Sequence, residues 1–124
     1  MTRAVILLAL LALRPLAATE VEWDVVAAGP SSAWSLKRGT VNAQTIRGAA
    51  NVIAIVKRED NAGGPEQQFL VAVPLAHCGA PRGDIRLQPL DGGAPIEAVW
   101  IRDAKAVPDA MATALCNRNR SKLT

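Results

Sequence analysis

The chain has two cysteines, and their placement limits the fold more than any other feature. Cys78 ends a long apolar run, Phe69 to Cys78 (FLVAVPLAHC). Cys116 closes a short amphipathic segment, PDAMATALC. The first has the composition of a strand, the second the spacing of a helix. In an exported chain, two cysteines are read first as a disulfide. The bridge would close a loop of about 38 residues and contribute roughly 3–4 kcal/mol by restricting the unfolded chain. The functional alternative is a redox or nucleophilic thiol. That needs a nearby base or a CxxC pair, and the chain has no CxxC.

Export is read from the N-terminus. Residues 1–18 have the order of a secretory signal: Arg3, then the apolar run Ala4 to Leu13, then Pro15 and the small residues Ala17 and Ala18. The run is far shorter than the roughly 20 apolar residues of a transmembrane helix. No cysteine lies near the expected cut to accept a lipid. The formal charge of +3 counts this segment. Without Arg3 and Arg14, the 14 basic residues fall to 12 against 11 acidic ones, a net of +1. Such a balance makes no case for nucleic acid or an anionic membrane as partner. The expected compartment is the periplasm or the cell exterior, and no membrane span is expected in the mature form.

Residues 19–117 then read as one domain. Three Trp, one Phe and no Tyr leave the core to aliphatic side chains. Val21, Trp23 and Val25 alternate with Glu22 and Asp24, the period-2 pattern of a half-buried strand. Trp34 and Leu36 mark a second, short strand. Thr40 to Arg47 is either a third or an irregular link, because Val41 and Ile46 break one alternation. VIAIVK (Val52 to Lys57) and Gln67 to Val73 flank the polar loop EDNAGGPE, as in a hairpin with a long exposed tip. Asp84 to Pro89 and Ile96 to Ile101 complete the strands around the Asp91-Gly92-Gly93 turn. Pro108 and Asp109 open a helix of about ten residues, with Met111, Ala112, Leu115 and Cys116 on one face. Residues 118–124 read as a polar basic tail. The predicted fold is α+β: an antiparallel sheet of about five or six strands with one C-terminal helix tethered by a disulfide.

Few residues invite chemistry. His77 is the only histidine. It neighbours Cys78, but adjacent strand residues point to opposite faces and form no dyad. Zinc needs three or four ligands, more than one His and bridged cysteines supply. Glu59, Asp60 and Glu66 share a loop but match no calcium spacing. No catalytic, cofactor-binding or metal-binding residue is assigned, and no cofactor is expected. Trp23, Trp34 and Trp100 read as sheet or core residues before a ligand platform.

The pattern resembles the bacterial surface-adhesin protein E-like family. The shared features are the exported start, Trp23 in the first mature strand and the short aromatic strand and turn from Ala33 to Val41. To these are added the β-rich middle from Val52 to Val56, Cys78 after a central strand, Trp100 in the last strand and Leu115-Cys116 at the helix end. The likeness spans most of residues 21–117, and it departs where the family tends to carry Tyr and Asp and this chain has Leu36-Lys37. It implies an antiparallel sheet whose concave face holds a C-terminal helix through Cys78–Cys116. It also implies adhesion to host matrix proteins, with no binding residue carried over. The expected function is therefore an exported, non-catalytic protein-binding module. The alternative is a small periplasmic inhibitor or immunity-type protein acting on an enzyme partner.

Overall fold

The computed structural model describes residues 22–122. The secretory segment read at residues 1–18 lies outside them. The order is β1 (Trp23–Ala28), β2 (Ser32–Lys37), β3 (Asn42–Ile46), β4 (Ala49–Asp60), β5 (Gln67–Pro74), a 3-10 turn (Leu75–Gly79), β6 (Arg82–Pro89), β7 (Ile96–Ile101) and α1 (Val107–Lys122). The fold is α+β, one antiparallel sheet of seven strands with one helix.

β4 is the axis. Its twelve residues carry the β-branched run Val52 to Val56. On one side it pairs with β5 from Asn51↔Pro74 to Arg58↔Gln67. On the other its first half takes β3 and its second half β2, end to end. Between those partners the Ile55 N–H would face no strand. Thr40 fills the gap: its hydroxyl donates to Lys37 O (2.7 Å) and accepts the Ile55 N–H (3.0 Å). A buried or half-buried N–H left unpaired would be costly.

Five or six strands were expected and seven are present. The difference is β3, the segment whose alternation was ambiguous. It is exposed along its whole length, so no apolar period marks it. Its hairpin turns on Arg47 and Gly48, both at positive φ (52° and 80°), the conformation of a tight primed turn. Arginine is not a turn residue of the usual kind, so composition concealed it.

The sheet curls around α1. Strands at both ends of the order, β1 and β7, touch the helix, as do β4 and β5 between them. The buried face holds Val52, Val56, Phe69, Val71, Val73 and Ile85, each at most 1% exposed. Met111, Ala112 and Leu115 enter it from the helix. Leu36 and Trp100 close its two ends.

Three expectations are corrected. The helix has sixteen residues, not about ten, and residues 118–122 are its last turn rather than a polar tail. Tertiary ties hold that end: Arg118 Nη1 donates to Asp24 Oδ2 (3.0 Å) and Lys122 Nζ to Val41 O (2.6 Å). Second, Cys78 sits in the 3-10 turn after β5, not in the strand, because Pro74 ends the ladder. Third, the phase of β1 is inverted. Asp24 lies opposite Leu36 and turns toward the helix, while Val25 is 68% exposed. A bulge between Val25 and Ala27 then rotates Ala27 into the core.

Candidate functional site

The residues singled out in the sequence are mostly structural. Cys78 and Cys116 are bonded, with their Cα atoms 5.6 Å apart, and tie the 3-10 turn to the helix. His77 is half-buried, and its Nδ1 accepts the Asp84 N–H (3.1 Å). The indole N–H of Trp100 donates to Asp84 O (3.1 Å), so both backbone groups of Asp84 are held by side chains. Among the described residues no three His, Cys, Asp or Glu side chains converge as metal ligands. Glu59 and Glu66 instead flank Lys57, whose Nζ lies 3.7 and 3.9 Å from their carboxylates.

The three tryptophans divide. Trp100 is buried. Trp34 packs on Phe69 with ring centroids 5.5 Å apart. Trp23 lies on the outer face under Lys57 Nζ, 4.7 Å from its ring centroid, with Lys37 at 5.9 Å. Cation–π contacts of this kind occupy the ring face that a ligand would need.

Electrostatics concentrate where the helix end meets β1. The hydrogen bond from Arg38, then that from Arg118, holds the Asp24 carboxyl below its ordinary value of 3.8. Asp24 in turn raises Arg38. This is a clamp on the fold and offers no free charge.

What remains is the outer face at the β7 end. A groove of about 490 Å³ opens there, with Ile46 and Arg47 of the β3–β4 hairpin on one rim and Val99 on the other. Arg86 and Glu97, cross-strand neighbours that line it, lie 3.7 Å apart. β7 is the last strand of the sheet. The Arg102 N–H donates inward to Pro81 O (2.9 Å). Since antiparallel residues alternate, Trp100 and Ala98 also point their backbone groups at β6, and Glu97, Val99 and Ile101 point theirs outward. The side chains of Val99 and Ile101 are 50% and 55% exposed on the outer face.

The opposite edge, β1, is blunted by its bulge and carries Asp24 engaged with two arginines. Natural sheets protect their edges in such ways. β7 has no bulge, no Pro and no Lys. The sequence marks IEAVWI as a final strand without marking it as an open edge. The cue was present: apolar residues fill both phases of the segment, and both cannot face the core.

No family model, no curated protein and no solved structure matches the chain. A disulfide is present, and no helix among the described residues is long and apolar enough to cross a membrane. The disulfide is consistent with an exported protein.

Proposed function

We propose that the chain is an exported, non-catalytic binding module that takes a protein partner at the β7 edge. The occupant is an extended polypeptide segment that adds a strand beside β7 and sets an apolar side chain in the groove next to Val99. The observation that carries this reading is the contrast between the β1 and β7 edges. One is bulged and charged; the other is an unbulged strand, apolar but for Glu97, beside a groove. Export and the adhesin-like character belong to the same proposal. They rest on the order of residues in the N-terminal segment and on the spacing of Trp23, Cys78, Trp100 and Cys116.

Val99→Pro tests it. That substitution removes an outward N–H and leaves the β6 ladder intact. Immobilised wild-type protein should capture a partner from a periplasmic or host-matrix extract, and the Pro variant should lose it with an unchanged melting temperature. Equal capture by both would place recognition elsewhere. An enzyme that is captured and inhibited would move the reading to the inhibitor class.

A further inference from the structure

A second cavity lies on the other side of the molecule, where α1 meets the 3-10 turn and the end of β7. Its volume is about 280 Å³, just below the roughly 300–1,000 Å³ of ligand clefts. Leu75, the Trp100 ring and the Cys78–Cys116 bridge give it apolar walls. Arg102, Arg120 and Asn119 also line it, and no carboxylate does.

Asn119 is the unusual member. It is only 6% exposed and sits on the inward face of the helix, one turn beyond Leu115. Its side-chain amide has no hydrogen-bond partner among the described residues. Among the described residues no occluded side-chain polar atom lacks a partner, so its amide must touch open space, and the space it lines is this cavity. Burying an amide without a partner is unfavourable, and an apolar residue would serve packing better. The two guanidiniums add a charge preference. Arg102 gives Nε to Ala80 O and Nη2 to Cys78 O, which fixes its plane and leaves Nη1 free. Arg120 uses one Nη2 hydrogen on Asn117 Oδ1 and keeps its remaining donors.

We propose that this cavity binds a carboxylate carried next to an amide and an apolar group. The carboxylate meets Arg102 and Arg120, the amide of Asn119 pairs with the ligand's amide, and the apolar part lies against Leu75 and the disulfide. Arginine suits this role because its planar fork matches a carboxylate. Two sources share the chemistry, a free acyl-amino acid and the C-terminus of a peptide. The cavity and the groove beside Val99 share no lining residue, so either can fail without the other.

The probe is hippurate, with hippuramide as its uncharged counterpart, followed by nitrogen-15 NMR on the disulfide-bonded protein. Hippurate at millimolar concentration should shift the Asn119 side-chain amide and the Arg120 guanidinium, and hippuramide should not. Arg120→Gln should weaken binding about tenfold, the size expected for loss of one charged hydrogen bond. An acetylated dipeptide with a free C-terminus that binds more tightly than hippurate assigns the site to chain ends. A weaker one assigns it to small acids. Asn119→Leu, similar in size, should abolish the response while keeping or raising the melting temperature. No shift with hippurate or the dipeptide overturns the proposal, as does equal binding of hippuramide. A lower melting temperature for Asn119→Leu also overturns it, because Asn119 would then be a structural residue.

Discussion

The two faces of the sheet are made from the same strands, yet they follow different rules. On the helix side, Val52, Val71, Val73 and Leu36 are fully buried, and Trp100 closes the end. On the outer side Val25, Val99 and Ile101 are 50–68% exposed, and charges cross between strands at Arg86–Glu97 and Lys57–Glu66. One face is held by exclusion of water and shape. The other leaves its residues exposed to water. An aliphatic side chain therefore means different things on the two faces: stability on one, a contact surface on the other.

The comparison breaks first at the core. Phe69→Ala should lower unfolding free energy by about 3–5 kcal/mol, and Val99→Ala on the outer face should stay within about 0.5 kcal/mol. Urea unfolding of both variants measures this. Similar losses would mean that the outer face is covered by something that buries Val99.

Next comes the bridge. In the chain-entropy model, closing the loop between Cys78 and Cys116 contributes about 4 kcal/mol. Reduction should free α1 before the sheet melts. Hydrogen exchange with and without reductant should show the helix amides near Leu115 losing protection ahead of those from Val52 to Lys57. If both segments keep equal protection, packing and the Asp24–Arg118 pair hold the helix unaided.

A smaller effect sharpens the picture at the Trp100 end. A Cβ on Gly83 would lie 2.7 Å from His77 Cβ and 2.8 Å from Trp100 Cζ2. Gly83→Ala should cost about 1–3 kcal/mol by overpacking. Gly93→Ala, whose nearest contact is Asp91 Oδ1 at 3.4 Å, should change little. Thermal unfolding of the pair checks whether the tight approach is confined to the helix face.

The smallest effect is electrostatic. The folded pKa of Asp24 is depressed, so its contribution to stability is fully present above the ordinary 3.8. It is lost as pH falls from there through the lower folded value. Exposure of Arg38 keeps it modest. Asp24→Asn should remove this acid-end loss of stability, read from thermal unfolding between pH 5 and 2. An unchanged profile would show that the clamp carries no stability.

Much of the fold was legible. β-branched composition placed β4, alternation placed β6, and the turn-rich loops before them marked β5 and β7. Pro108 and Asp109 marked the helix start, and the cysteines marked the tether. β3 was hidden because both its faces are exposed and its turn uses Arg47 at positive φ. The last helical turns were hidden because Arg118 and Lys122 read as solvent-loving until their partners, Asp24 and Val41, are in place. The candidate edge and the cavity at Asn119 were not seen. Both depend on which strand ends the sheet and what the helix passes over.

By itself, then, the sequence determined the class of element at most positions and the single cross-link, since these follow from periodicity, turn chemistry and cysteine count. Only the tertiary structure decided which phase of each strand lies inside. Val25 alternates as a core residue would, yet it is exposed, because the helix carries Arg118 to the side where Asp24 stands and a bulge turns the chain before Ala27. A strand's period states that two faces exist. Which of them loses its water is fixed by what packs against it.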